Sequence, residues 1–341
     1  MPDSMRAFVI TGPRMATVEE VPRPTAGPGE VVVDVERAGV CGTDVEFFTG
    51  DMAYLHSGEA AYPIRIGHEW TGRVSAIGAG VDAAWQGRRV IGDTMLGCGH
   101  CPRCRSGRQH LCADRFEVGI RNGWPGALAE QLRVPASSLH AIPDDLDPAT
   151  AALIEPGGNA WRTVEAVALP PHGRLLIVGA GAIGLLAALI ARARGIEVDL
   201  LARSEGSRRF AASLGFDRIW SADRPPGSRY DGVIDASHDA GSPARTLELV
   251  EPGGRVAWIG LSGTPSLVDS RRAVLDDVTV VGVLSGSPGL AGMIDLVASG
   301  RVDPSPLVSA VVGLDEVADA LAGRRGAGWS GGPKVQVDPR R

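Results

Sequence analysis

The chain has 341 residues, enough for about two domains that each bury a core of their own. Its 40 acidic residues outnumber 34 basic ones and leave a net charge near −6, which excludes a basic footprint for nucleic acid and points to small-molecule partners. Lys334 is the only lysine, an arginine bias read here as genome composition, and the 46 glycines and 24 prolines are scattered rather than gathered in a low-complexity tract.

The N-terminal stretch MPDSMRAFVITG has no apolar run of signal-peptide length, so a cytoplasmic location is expected. Residues 26–40, 69–81 and 87–93 are strand-length, β-branched runs punctuated by glycine and proline. They predict an antiparallel, partly barrel-like domain over 1–148, with a cysteine-rich lobe inserted at about 97–113. From residue 149 the pattern changes to strand and helix in alternation. The strands are RLLIVG, EVDLLA, RIWSA, GVIDAS, GRVAWIG and VTVVGVL, with helical stretches such as 182–195 and 206–215 between them. Six strands separated by helices predict a doubly wound α/β domain with a parallel sheet over 149–286. The segment 287–341 returns to mixed character, with helices near 291–300 and 314–323 and a last strand near 333–337.

Leu175–Ala191 carries no charge for seventeen residues, but three glycines interrupt it and it is short for a membrane span. A buried strand followed by an apolar helix accounts for it, so no membrane association is expected.

Cys98, Cys101, Cys104 and Cys112 fall within fifteen residues. That spacing lets four thiolates reach one tetrahedral Zn2+, a structural site with no open position. The other reading is disulfides. An odd total of five cysteines and no secretory signal favour metal in a reducing compartment.

Gly179, Gly181 and Gly184, in the segment GAGAIG with Ala182 and Ile183, lie where the first strand of the α/β domain turns into a helix. Such glycines allow a tight turn, close approach of a pyrophosphate and close helix packing, and the helix N-terminus offers free N–H groups to phosphate. An NAD site normally ends its second strand on Asp or Glu. Here the strand ends at Ala202 and is followed by Arg203 and Ser204, while Asp199 lies three residues too early. Arg203 and Ser204, helped by Arg208, suit a 2′-phosphate, so NADP(H) is expected over NAD(H).

Cys41 in VCGTD, His68 and Glu69 in GHE, and Glu155 in EPGG form a second candidate metal set. Cysteine, histidine and a carboxylate can hold zinc with one position left open. In this order and separation, Cys41-Gly42-Thr43-Asp44, Gly67-His68-Glu69, the four-cysteine lobe, Glu155-Pro156 and GAGAIG resemble the zinc-dependent medium-chain dehydrogenase/reductase family, from about Met5 to Val337. The resemblance implies a GroES-like, mostly-β catalytic domain built from both termini, a central Rossmann domain and an active site in the cleft between them. It implies two zinc ions per chain. Cys41 and His68 would be catalytic ligands with Glu155 as the third, Glu69 or water being able to exchange with it. Asp44 would orient His68 through its other ring nitrogen.

By the same resemblance Thr43 is the first hydroxyl of a proton relay, and Glu46 stands where many relatives have histidine. The CGTD-x-E pattern looks like sugar dehydrogenases of the family, although Glu46 is equally read as a solvated side chain. Gly157, Gly158 and Asn159, where relatives commonly carry bulkier residues, suggest a wider or more polar pocket floor. The expected activity is hydride transfer between a nicotinamide cofactor and a polar secondary alcohol such as a polyol, sugar, cyclitol or amino-alcohol. An aromatic alcohol would follow if Phe47, Trp70 and Trp124 lined the pocket. Other readings are reduction of an activated C=C or C=N bond, and a non-catalytic nucleotide-binding relative. Pairing through VTVVGVL into a homodimer or homotetramer is implied as well.

Overall fold

A computed structural model describes residues 3–341. The chain divides into two compact units. One runs to Glu155 and adds Val308–Ser330 and Lys334–Arg341; the other comprises Pro156–Leu307 and Gly331–Pro333.

In the first unit, β1 (Ser4–Gly12) and β2 (Met15–Pro22) form an antiparallel hairpin, which the strand patterning above did not single out. β3 (Glu30–Gly39) is the hub of a larger sheet, because it pairs antiparallel with β4 (Glu69–Ile77) along nearly its whole length. β5 (Arg89–Gly92) follows β4 in that sheet; the short β6 (Met95–Leu96) and β7 (Phe116–Glu117) form a ladder of their own around the cysteine lobe. β8 (Gln131–Pro135) pairs β3 and β9 (Leu139–Ala141) pairs β5. Alternating apolar residues of β3, with Phe8, Ile10, Ile66, Trp70 and Leu132, fill the core.

The second unit is a six-stranded sheet, parallel throughout. Its strands are β10 (Arg174–Val178), β11 (Glu197–Leu201), β12 (Ile219–Trp220), β13 (Tyr230–Asp235), β14 (Val250–Trp258) and β15 (Thr279–Gly282). They lie in the order β12-β11-β10-β13-β14-β15, the doubly wound order of a Rossmann domain. Leu185, Leu186, Leu189 and Ile190 of the helix Ala182–Ala193 are buried, each contributing roughly 1.5–3 kcal/mol of apolar burial. Strand and helix together account for the uncharged run from Leu175, and among the described residues no helix is long and apolar enough to cross a membrane.

The tail supplies β16 (Val308–Val312) and β17 (Lys334–Val337); β17 joins the first unit's sheet beside the end of β3. Residues 287–307 cluster with the second unit instead, so the return begins at Val308 rather than at 287. The reason is packing. Leu290 and Met293 of the helix Leu290–Ala298 are buried against Gly157 and Gly158, where an added Cβ would come within 2.6 Å of Met293 and 2.7 Å of the Gly286 carbonyl. These glycines therefore buy close helix packing and not the widened pocket floor expected from their small size.

Candidate metal centres and dinucleotide cradle

Sheet register brings the scattered motifs together. Gly39, the last residue of β3, is the ladder partner of Glu69, the first of β4. Cys41 lies just beyond one strand end and His68 just before the other, so two residues 27 apart in sequence meet. Ligand atoms of Cys41, His68 and Glu69 all lie within 4.8 Å of one another. Gly39 leaves room for the Glu69 side chain, since a Cβ there would come within 2.2 Å of Glu69 Oε2 and displace that carboxylate. Glu155, at the start of the helix Ile154–Val167, is buried nearby and accepts a 3.1 Å hydrogen bond from Thr94 Oγ1. It lies outside the trio's 4.8 Å group.

Asp44 is fully buried. One of its oxygens accepts from the Cys41 amide at 2.8 Å and the other from the Gly67 amide at 3.2 Å, so a single carboxylate ties the two ligand-bearing loops together. Its Oδ1 is 3.8 Å from His68 Nδ1, an electrostatic pair rather than the hydrogen bond expected from the resemblance. Burial raises the pKa of both Asp44 and Glu155. Burial works against a charged His68, yet the Cys41 sulfur and the Asp44 and Glu155 carboxylates hold its pKa well above the ordinary imidazole value.

Lys334 was missed by the sequence reading. It opens β17, is 4 % exposed, and donates to Glu69 Oε1 and, at 3.2 Å, to the Val40 carbonyl. Burial opposes its charge, but Glu69, Cys41 and Glu155 keep its pKa raised. The signal was in the composition: where 33 of 34 basic residues are arginine, the one position that keeps a lysine calls for a compact ammonium.

The donor set fits zinc. Asp44, Glu69, Glu155 and the Cys41 thiol crowd around a single ammonium, an excess of negative charge that suits a divalent cation. His68 Nδ1 and Glu69 Oε2 are buried without a hydrogen-bond partner among the described residues. Sulfur, nitrogen and carboxylate oxygen are the ligands of catalytic zinc sites that keep one position open. Thr43 follows in the first turn of the helix Gly42–Thr49, half-buried, its hydroxyl without a partner among the described residues, and Glu46 lies one turn further on the same helix. Phe47 and Trp70 are core residues at 0 % and 1 % exposure, so neither lines a pocket.

The sulfurs of Cys98, Cys101, Cys104 and Cys112 form a second group within 4.8 Å, and none is in a disulfide. The amides of Cys101 and Cys104 donate to the sulfurs of Cys98 and Cys101 at 3.4 and 3.5 Å. Such bonds favour thiolates, and the Cys104 amide accordingly lowers the Cys101 pKa to about 7. This set fits a closed structural zinc.

In the second unit the three fingerprint glycines do three different things. Gly179 has φ +102 and leaves no room for a Cβ beside the Ala236 carbonyl; at Gly184 a Cβ would sit 1.8 Å from the Gly179 oxygen. At Gly181, which caps the helix Ala182–Ala193, a Cβ would meet nothing within 4 Å. That open approach to unpaired helix N–H groups at Ala182 and Ile183 is what a pyrophosphate needs. Beyond β11, Arg203 is exposed with no side-chain partner among the described residues. Ser204 caps the next helix, accepting from the Ser207 amide at 3.0 Å, and Arg208 donates to the carbonyls of Ala202 and Arg203. Asp199 is already engaged, bonded to Trp220 Nε1, Tyr230 Oη and Arg218 Nε at 2.8, 2.6 and 2.9 Å.

Residues 27–144 match the alcohol dehydrogenase GroES-like domain and 182–299 the zinc-binding dehydrogenase domain. The chain is 35% identical over 292 residues to L-threonine 3-dehydrogenase of Saccharopolyspora erythraea, covering 82% of this chain and 83% of that one. Among solved structures it is similar to a short chain alcohol dehydrogenase of E. coli CFT073 complexed with NADH, with TM-score 0.89, 26% identity and coverage of 99% and 100%. It is also similar to a zinc-binding dehydrogenase of Sinorhizobium meliloti 1021 bound to NADP, with TM-score 0.88, 28% identity and the same coverage. The chain belongs to the zinc-dependent medium-chain dehydrogenase/reductase family and is an NAD(P)-dependent oxidoreductase acting on CH–OH groups.

Proposed function

We propose that the chain is an NADP(H)-preferring dehydrogenase of polar secondary alcohols, polyols, sugars, cyclitols and amino-alcohols being the class. The observation that carries the alcohol reading is the meeting of Cys41, His68 and Glu69 at one point, with Thr43 two residues after Cys41 in the first turn of the helix Gly42–Thr49. Bound there, zinc supplies Lewis acidity toward an alcohol or carbonyl oxygen, and the dinucleotide supplies the hydride chemistry.

The chain's own residues do the rest. Cys41, His68 and a carboxylate bind the ion, while Asp44 fixes the two loops that carry the first two. Lys334 holds Glu69 by one oxygen, which favours Glu155 as the third ligand. Thr43 Oγ1 is the first member of a relay, accepting a hydrogen bond from the substrate hydroxyl and, as it receives that proton, passing its own on toward water, and Glu46 offers a carboxylate to a further hydroxyl or an ammonium. An ammonium beside a secondary alcohol describes threonine, on which the curated relatives act by name. A panel of secondary alcohols that includes L-threonine, followed by cofactor absorbance, tests the class. Turnover of simple aliphatic alcohols alone would reject it.

NADP preference rests on Arg203 and on the missing acid at the end of β11. The expected outcome is higher kcat/KM with NADP than with NAD, and loss of that advantage in Arg203→Ala. A charge-assisted hydrogen bond to phosphate contributes about 1.5–3 kcal/mol, roughly a ten- to hundredfold effect. Association through β15 belongs to the same reading: β15 is the sheet's edge, and Leu267, Val274 and Leu275 of the same unit are exposed. Light scattering should then give a multiple of the chain mass.

A further inference from the structure

In the first unit the hairpin β1–β2, residues 60–65 and the turn 123–125 enclose a cleft of about 300 Å³, the lower end of the range for small-molecule sites. Val9, Val21, Ala60, Ile64 and the Trp124 indole give it apolar walls. Two charged residues also line it, Arg65 and Glu19, both half-buried. Neither side chain makes a hydrogen bond or an ion pair among the described residues, with each other or with anything else. Arg133 stands nearby, its guanidinium 5.6 Å from the centre of the Trp124 ring and paired with Glu30 at 3.5 Å, and burial, with the Arg133 charge adding to it, lowers the Arg65 pKa.

Half-buried charges are ordinarily paired, because lost hydration is repaid only by a partner. Opposite charges in one cleft that stay apart leave a gap with a positive and a negative end. We propose that this cleft binds a small zwitterion of the α-amino-acid type with a compact apolar side chain. The guanidinium fork of Arg65 takes the carboxylate in bidentate fashion, Glu19 takes the ammonium, and Trp124, Val9 and Val21 cover the side chain. The site lies three residues before the metal ligand His68 in the chain but shares no residue with the metal set.

The test is calorimetric titration of the holoenzyme with L-leucine, which has no hydroxyl to oxidise. One saturable site per chain is expected. Removing either end of the ligand, as 4-methylpentanoate or 3-methylbutylamine, should weaken binding about tenfold or more, or about 1.4 kcal/mol. Arg65→Gln and Glu19→Gln should each do the same to leucine while zinc content, melting temperature and alcohol turnover stay put. Cys41→Ser should leave leucine binding unchanged. The proposal is overturned by an absence of binding at high millimolar leucine, by equal binding of 4-methylpentanoate, by leucine binding that survives both cleft variants, or by its loss in Cys41→Ser. The truncated ligands keep the test decisive should a cleft variant fail to fold.

Discussion

The two candidate metal centres share one compact unit and are built in opposite ways. The four-cysteine lobe draws its ligands from fifteen consecutive residues, and its own amides bond its sulfurs. Even its neighbour Gly97 gives way, since a Cβ there would come within 2.5 Å of Cys104 Sγ. The other candidate centre gathers Cys41, His68 and Glu69 from the ends of separate strands, with Glu155 at the start of a helix nearby, and it leaves buried polar atoms without partners. A closed structural site is locally self-sufficient, whereas a site that must act on something else is left incomplete by the fold.

The sharpest way to break this contrast is to remove one ligand from each centre. His68→Ala or Cys41→Ser should lower turnover by roughly 10³-fold or more, the scale on which loss of a principal electrostatic element acts. Zinc should fall by one equivalent of the two expected from the two ligand groups, with circular dichroism and melting temperature little changed. Full turnover with one zinc would mean that the open centre is not where the chemistry happens.

Cys104→Ala should remove one equivalent too, with the opposite signature. Structural zinc in isolated modules contributes on the order of 10 kcal/mol to folding, so residues 97–113 should become protease-sensitive and the melting temperature should drop. Molecules that stay folded should turn over far better than His68→Ala. If both variants lost activity without lost stability, the lobe would not be purely structural.

The same contrast explains what could be read in advance. The lobe was legible from spacing alone, because its ligands are neighbours. The six parallel strands were legible because each is a short apolar run between helices, and all six appear in chain order. The meeting of Cys41 with His68 needed motif resemblance, since only the Gly39–Glu69 register creates it. Lys334 escaped because 265 residues separate it from Glu69, and its singularity was put down to composition. Gly157 and Gly158 misled for a related reason: an absent side chain can mean open space or a neighbour already there, and only packing tells the two apart.

Lys334 offers a smaller effect that tests how the open centre is held. Lys334→Met removes one partner of a buried pair and should cost about 3–5 kcal/mol, because Glu69 is left as an uncompensated charge. Chemical denaturation of the metal-loaded protein reads that loss directly. Adding Glu69→Gln should recover part of it. If the single variant is as stable as the parent, Glu69 has another cation to turn to, and the preference for Glu155 as third ligand loses its basis.

The finest test carries the contrast between self-satisfied and deliberately unfinished structure into the second unit, with one methyl group at two glycines. Gly184→Ala places a Cβ 1.8 Å from the Gly179 carbonyl oxygen, so backbone must shift, at about 1–3 kcal/mol. Gly181→Ala meets nothing within 4 Å, and its φ of −85 suits any residue, so stability should change by no more than about 0.5 kcal/mol. Dinucleotide titration should reverse the ranking per unit of stability lost: at Gly181 the methyl occupies the approach of the pyrophosphate, and affinity should fall while melting without cofactor stays the same. Unchanged affinity in Gly181→Ala would show that the space above this residue is spare room and not a reserved seat.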